Sequence, residues 1–154
     1  LGRTVPIYLE LYVFVTRRGG AYDARKMVTW REAVAERLHL LSEDMQNRRI
    51  INKVAESIGA FIDPSVVGNS FLNILAHLRA GGWSSIVPHA LAHVMGEQPD
   101  LVMLDLVEPI HSQSIGLVFS DRDPLSPVAS ALISCMAASS IQGDFSAINA
   151  GPAR

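Results

Sequence analysis

Residues 66–88, VVGNSFLNILAHLRAGGWSSIVP, decide the fold class of this chain. A short β-branched segment opens the stretch, and another closes it before Pro88. Between them lies a helix, which we expect to be capped by Asn69 or Ser70 and to stop at the glycine pair that follows Ala80. Strand, helix and strand in this order form a βαβ unit, whose two strands are parallel. We therefore predict that segments 65–67 and 84–87 are adjacent parallel strands.

Short strands and helices also alternate on both sides of this unit. We predict strands at residues 5–16, 38–41, 101–107 and 113–120, and helices at residues 30–36, 42–58, 89–94 and 128–139. Thr29 and Glu32 form a capping box at the start of the first helix, and Gly59 ends the second. The alternation predicts an α/β sheet with parallel neighbours. The strands at 5–16 and 113–120 interrupt it, and we interpret them as two connections between two lobes.

Helix 42–58 carries the clearest amphipathic pattern. Ile50, Val54 and Ile58 recur every four residues and predict the buried stripe. Arg48 and Arg49 are placed on the opposite, solvent-facing side. Such a helix packs on a sheet by one face only.

Composition narrows the class of protein. The chain has 154 residues, of which 49% are hydrophobic and 18% charged, so it can bury a core. Its net charge is −2 and it has no run of Lys and Arg, which argues against a grip on nucleic acid by this chain itself. No segment approaches the roughly 18 apolar residues of a membrane span, so no membrane partner is expected. The single cysteine, Cys135, is predicted to be buried. Nothing indicates an oxidising compartment, and we expect a cytoplasmic protein.

No motif indicates catalysis. His89 and His93 are spaced for one helix face, but the residues between them are Ala, Leu and Ala, and no glutamate follows the first histidine as in zinc proteases. Neither a Gly-x-Ser-x-Gly elbow nor a glycine-rich phosphate loop occurs. We predict no catalytic residue, no metal and no cofactor.

The stretch 66–88 and the elements around it resemble the effector-binding domain of LysR-type bacterial transcription regulators. The resemblance is carried by Asn69-Ser70, by Arg79-Ala80-Gly81 and by Ile86-Val87-Pro88, in that order and spacing. It continues through the return strand that contains Ile115–Phe119 and covers about residues 1–140. One departure is Trp83, which stands where the family usually repeats a glycine.

The resemblance implies a two-lobed fold of the type II periplasmic-binding-protein kind. Residues 12–112 would be the complete second lobe, residues 1–11 and 113–140 part of the first lobe, and residues 141–154 a flexible tail. The family's winged helix-turn-helix, linker helix and opening elements of the first lobe would lie outside this chain, which would be truncated on its N-terminal side. The apolar faces of the partial lobe would then be covered by another chain or by that missing piece, at Leu117, Phe119, Leu132 and Met136.

The function implied is that of a ligand sensor. A small anionic metabolite would bind between the lobes and change how a dimer or tetramer sits on promoter DNA, which only the missing N-terminal domain would contact. The residues we expect to bind it lie at two helix starts and one nearby aromatic ring: Ser42, Asn47, Gly68, Asn69, Ser70, Phe71 and Trp83.

Simpler roles stay open for several of these residues. Ser70 or Asn69 is also explained as a helix cap, and Trp83 as a core anchor. Glu43 and Asp44 complement the dipole of their helix but would repel an anion. Two other functions also stay open: a periplasmic solute-binding protein of the same architecture, which a secretion signal upstream would reveal, and a small α/β enzyme, which would need titratable residues clustered in a cleft.

Overall fold

The secondary structure follows the predicted alternation in a computed structural model that describes residues 2–121 and 124–139. The strands are β1 (Gly2–Glu10), β2 (Tyr12–Arg17), β3 (Met27–Thr29), β4 (His39–Leu41), β5 (Val66–Gly68), β6 (Ser84–Pro88), β7 (Leu101–Val107) and β8 (Gln113–Ser120). The helices are α1 (Trp30–Ala35), α2 (Gln46–Ser57), α3 (Phe71–Ala80), α4 (His89–Met95) and α5 (Pro127–Ala138). The tail predicted at residues 141–154 lies outside the described residues. None of the helices within these residues combines the length and the apolar character that a membrane span requires.

The chain divides into two compact units, and the prediction of one strand over residues 5–16 is wrong. The first unit comprises Leu1–Glu10 and Ser112–Arg154, and the second comprises Leu11–His111. The strand breaks at Leu11, whose backbone N–H donates to Nδ1 of His89 at 2.9 Å and whose carbonyl accepts from the His89 N–H at 2.9 Å. Leu11 therefore separates β1, which pairs with β8, from β2, which pairs with β6 and β7. β-Branched residues on both sides of Leu11 hide this break in the sequence.

Two sets of strands make up the sheet of the second unit. One has the order β3-β7-β2-β6, in which β2 is antiparallel to both neighbours and β3 is parallel to β7. The other is the parallel pair β4-β5. A parallel bridge between Leu38 and Ser84 places β4 beside β6. Our prediction that β5 and β6 are adjacent is therefore wrong, because β4 lies between them, although all three run in the same direction.

The core of the second unit lies on both sides of β2. Side chains alternate along a strand, so Phe14 enters one apolar cluster and Val15 the other, and both are fully buried. Helices α1 and α2 cover the first cluster with residues such as Trp30 and Ile51. Helix α3 covers the second cluster with Ile74 and Leu78, assisted by α4.

The first unit has no buried residue in its described part. β1 pairs with β8 in antiparallel register, and the side chains of β8 alternate between partly buried and exposed. Helix α5 buries none of its side chains, and Leu132 is 49% exposed. Cys135, predicted to be buried, is exposed. Apolar residues in a sequence do not show whether a neighbour is present to cover them.

The predicted start of α1 agrees with the structure, whereas the predicted start of α2 does not. Helix α2 begins at Gln46 rather than at residue 42, and residues 42–45 form a turn instead.

The capping box of Thr29 and Glu32 is confirmed: Oγ1 of Thr29 accepts from the Glu32 N–H at 3.2 Å, and Oε2 of Glu32 accepts from the Thr29 N–H at 2.9 Å. Bonds from Arg25 and Thr29 hold the pKa of Glu32 at about 2. Glu32 therefore stays ionised as a cap.

Replacing Thr29 with Ala should lower the free energy of unfolding by about 1 kcal/mol, because the N–H of Glu32 loses its acceptor. Urea unfolding followed by circular dichroism measures this change. Thr29→Ser keeps the hydroxyl group and should lose clearly less. Equal losses in the two variants would show that the methyl group of Thr29, and not the cap, is what stabilises α1.

Candidate functional site

The parallel strands β4 and β5 end side by side, which brings two helix starts to one edge of the sheet. Leu41 pairs with Gly68 in the register, and the Ser42 N–H donates to the Gly68 carbonyl at 2.8 Å. The chain then leaves β4 towards α2 and leaves β5 towards α3. Crevices at the carboxyl ends of parallel strands are where open α/β sheets bind ligands.

Neither of these two helix starts is capped by a side chain. Met45 is the N-cap of α2 and Ser70 that of α3, and neither side chain accepts a bond from its helix. By contrast, Thr29 and Ser126 cap α1 and α5. Our prediction that Asn69 or Ser70 caps α3 is right about position, since Ser70 is the N-cap residue, but wrong about the bond.

Uncapped starts leave backbone donors free for a ligand. The first bond of α2 runs from the Arg49 N–H to the Met45 carbonyl at 3.2 Å, and that of α3 from the Ile74 N–H to the Ser70 carbonyl at 3.2 Å. The N–H groups of residues 46–48 and 71–73 therefore have no carbonyl partner within their helices. Such donors, with the helix dipole behind them, favour an anion.

Asn47, in the first turn of α2, has an unsatisfied amide. Both its side-chain nitrogen and its side-chain oxygen are buried, and neither has a hydrogen-bond partner among the described residues. Leaving a buried polar group unpaired destabilises a fold by roughly 1–3 kcal/mol. A native structure rarely keeps such a group without a reason, and a ligand that supplies the missing bonds is one such reason.

The acidic residues near this edge are occupied by neighbours. Asp44 accepts from the Ser42 hydroxyl, which is the main reason that its pKa is lowered. The carboxylate of Glu43 lies 3.5 Å from the Arg48 guanidinium. Both residues lie in the turn before α2 rather than in its first helical turn. The Ser42 hydroxyl thus already donates to Asp44 in the absence of a ligand.

Arg48 is a buried cation that sequence reasoning missed. We placed it on the solvent side of α2, yet it is 2% exposed and donates to the Leu41 carbonyl at 3.0 Å and to Oδ1 of Asn52 at 2.8 Å. Its spacing of three and seven residues from Ile51 and Ala55 could have shown that it lies on the buried stripe. The guanidinium lies at the end of β4, where the candidate site is, and offsets the charge of Glu43.

Packing assigns a structural role to two of the predicted site residues. Phe71 packs against the second core cluster, as Met45 does, and so anchors the start of α3. At Gly68, an added Cβ would lie 2.8 Å from Nε2 of His39. His39 is 4% exposed and its Nδ1 lies 3.1 Å from Nδ1 of His77, so the ring has little room to move. Glycine at 68 therefore lets β5 pass the His39 ring, while Asn69 beyond it is exposed.

Trp83 is the one predicted site residue that the structure does not bring to this edge. It precedes β6, whereas the others follow strands, so it lies at the opposite edge of the sheet. Its ring stacks on that of His77 at 5.0 Å, and the Arg37 guanidinium carbon lies 4.2 Å from its centroid. It is partly buried against the second core cluster. Its position therefore favours a core anchor over a wall of the site at the carboxyl edge.

His89 is a further residue at the carboxyl edge, directly after β6. Burial lowers its pKa, and the contact of its Nδ1 with the Leu11 carbonyl at 3.2 Å, which favours the protonated ring, opposes that shift only in part. We considered His89 only as a metal ligand. No group of three or more potential ligands that could hold a metal ion occurs among residues 2–121 and 124–139.

Comparisons with solved structures show the fold. The chain is similar to full-length CbnR, a LysR family transcriptional regulator complexed with target DNA (20% identity, TM-score 0.71, 88% of this chain and 46% of that one). It is similar to the effector-binding domain of QuiR in complex with shikimate (16%, 0.70, 88% and 63%). It is also similar to the CcmR regulatory domain of Synechocystis PCC6803 in complex with 2-PG (12%, 0.75, 88% and 65%). The chain thus spans between about half and two thirds of these relatives.

The fold is that of an α/β, type II periplasmic-binding-protein-like effector domain, represented here by part of its length. Residues 3–140 match the LysR substrate binding domain family. The chain therefore belongs to that family, as its resemblance indicated. No curated protein sequence matches the chain.

Replacing Gly68 with Ala should lower the free energy of unfolding by roughly 1–3 kcal/mol, because the new methyl group overlaps the confined ring of His39. Gly20→Ala is the matched control, since nothing lies within 4 Å of a Cβ at that position, and it should change stability by less than about 0.5 kcal/mol. Both values come from urea unfolding. If His39→Ala does not relieve the effect in the double variant, the steric explanation is wrong.

Stability should also fall on mild acidification. Burial lowers the pKa of His39, with the neighbouring His77 acting in the same direction, and burial lowers that of His89. The unfolded chain therefore binds protons first, so this stability is fully present above the unfolded pKa of about 6.5 and is lost as pH falls below it. Urea unfolding at several pH values between 5 and 8 measures the slope. A slope unchanged in His39→Gln and in His89→Gln would contradict this account.

Proposed function

We propose that this chain is the ligand-sensing part of a LysR-type transcription regulator, and that a small anion binds at the carboxyl edge of β4 and β5. The observation that carries the proposal is the pair of uncapped helix starts beside the unpartnered amide of Asn47. Backbone and side-chain donors concentrated at one place favour a ligand rich in acceptor oxygens. The proposed role is binding and not catalysis.

Each residue of the site has a distinct proposed part. The Ser70 hydroxyl and the backbone N–H groups at Phe71 donate to the anion. The Asn47 amide donates from its NH₂ group and accepts from a ligand hydroxyl through its oxygen. Ser42 joins them by turning its hydroxyl from Asp44 to the ligand. Gly68 and Asn69 form the short connection that brings α3 to the edge, and Gly68 does so through its lack of a side chain.

Charge near the edge supports a small anion of one or two charges. The Glu43 carboxylate would repel a ligand of high negative charge, but the Arg48 guanidinium lies 3.5 Å from it. Shikimate, bound in the QuiR structure, is a carboxylate, and the 2-PG bound by CcmR is 2-phosphoglycolate. A small organic acid is therefore the class of effector that we propose.

Family membership supports a proposal for the larger assembly. We propose that residues 12–112 form the second lobe and that residues 1–11 and 113–140 belong to the first. The exposed side chains of Val118 in β8 and of Val128 and Leu132 in α5 support cover by further parts of the first lobe and by self-association as a dimer or tetramer. A winged helix-turn-helix would contact promoter DNA in the cytoplasm, as full-length regulators such as CbnR bind their target.

Replacing Asn47 with Ala should weaken effector binding without lowering stability. The variant removes a buried amide that has no partner in the free protein, so the free energy of unfolding should stay equal or rise by up to about 1 kcal/mol. Loss of a bond to a charged ligand should weaken binding by roughly 1.5–3 kcal/mol, and Ser70→Ala should weaken it similarly. A thermal-shift screen of small organic acids on the intact regulator identifies the effector. Calorimetric titration then gives the affinities.

Asn73→Ala is the matched control, because Asn73 is exposed and lies in the turn after Ser70. Its affinity should equal that of the wild type. If Asn47→Ala and Ser70→Ala both bind the effector as tightly as Asn73→Ala, the site lies elsewhere. If Asn47→Ala instead loses stability and keeps its affinity, the amide serves the fold and not the ligand.

A further inference from the structure

A cavity of about 550 Å³ lies at the edge of the second unit opposite the proposed effector site. It opens where β2 ends and β6 begins, since Thr16 pairs with Ser84 in the antiparallel register. The side chains that matter for its chemistry are those of Arg17, Arg18, Tyr22, Glu36, Arg37 and Trp83. Its size lies within the range of small-molecule pockets.

Two of the arginines are held in place without being neutralised. Arg17 donates to the Ala80 carbonyl at 3.2 Å and lies against Gly81, where a Cβ would be 2.7 Å from its terminal nitrogen. Arg18 donates to the carbonyls of Pro99 at 2.9 Å and of Leu101 at 3.3 Å. Carbonyl oxygens orient a guanidinium but leave its full charge. Within the described residues, neither arginine has a carboxylate partner.

Arg37 is fixed in a different way, over the ring of Trp83. Its guanidinium carbon lies 4.2 Å from the ring centroid, and the ring itself stacks on His77 at 5.0 Å. A cation over an indole face keeps its N–H edges free to donate. Arg37, too, forms no ion pair within the described part of the chain. Trp83 is therefore the support of a cationic group rather than an isolated core residue.

Negative charge around the cavity is small and already bonded. Glu36 lines it and accepts from the Tyr22 hydroxyl at 2.6 Å. The Asp23 carboxylate, in the adjacent turn, accepts from the N–H groups of Gly19 at 2.8 Å and of Gly20 at 3.3 Å. Three guanidinium groups and one carboxylate line the cavity, which leaves it with two positive charges. The whole chain has a net charge of −2, so this cavity concentrates a field of the opposite sign.

We propose that this cavity is a second binding site, which takes a small phosphate-bearing anion. A carboxylate presents two oxygens in one plane, whereas a phosphate presents three or more oxygens in different directions, as three separately anchored guanidinium groups require. The size of the cavity and the lack of a wider basic surface favour a small molecule over a polymer. This site shares no residue with the proposed effector site, so the two proposals are independent of each other.

Titration of the chain with inorganic pyrophosphate at low ionic strength tests the proposal. The chain has two tryptophans, and Trp30 is fully buried, so a saturable change in emission reports on Trp83. Because the arginines are exposed, the dissociation constant should rise as salt is added. Arg17→Gln should raise it roughly tenfold or more, the effect of losing a bond to a charged group. Arg37→Gln should raise the dissociation constant by a similar factor. Because this substitution also alters the environment of Trp83, its dissociation constant is measured by calorimetry instead of fluorescence.

Arg31→Gln is the matched control. Arg31 is also exposed and bonded to a carbonyl, that of Ile58 at 2.6 Å, but it does not line the cavity. Its affinity for pyrophosphate should equal that of the wild type. Equal affinities of Arg17→Gln and Arg31→Gln, or no saturable binding by the wild type, would overturn the proposal. Citrate that binds as tightly as pyrophosphate would overturn the assignment to phosphate.

Discussion

Burial of β2 on both of its faces is the constraint on which the second unit depends. Phe14 and Val15 are both fully buried but enter different apolar clusters, so helices must cover the sheet on both sides. The βαβ connection through α3 provides one layer, and α1 and α2 provide the other. Because β4, β5 and β6 run in the same direction, every helix that follows them begins at one edge. The polar groups at that edge therefore belong mainly to the first turns of helices.

Local signals in the sequence were sufficient to place single elements and insufficient to order them. The Thr29 box, Ser126 with its following proline, and the bounds of β7 and β8 agree with the structure, because each depends on neighbouring residues alone. The position of β4 between β5 and β6 depends on contacts between residues far apart in the chain, such as Leu38 with Ser84. The break at Leu11 has the same origin, since its partner is His89.

The candidate site, too, could be predicted from the sequence only in part. The edge at which residues 42–47 and 68–71 meet could be predicted, because it follows from the direction of the strands. Which donors stay free could not, since that depends on whether Ser70 bonds its own helix and on whether Asn47 finds a partner. Trp83 was grouped with the site because it departs from a family pattern. Its place before β6 rather than after it, which the sequence already shows, is what separates it from the other residues.

The two edges of this sheet present hydrogen-bond donors in physically different ways. At the carboxyl edge, the proposed donors are backbone N–H groups and uncharged side chains, and the guanidinium of Arg48 is buried and bonded to Leu41 and Asn52. Its field changes little with salt, because buried charges are weakly screened. At the other edge the guanidinium groups of Arg17, Arg18 and Arg37 are exposed, so ions compete for them directly. If both proposals hold, a ligand of the first edge is selected by the geometry of its acceptors, and a ligand of the second by its charge.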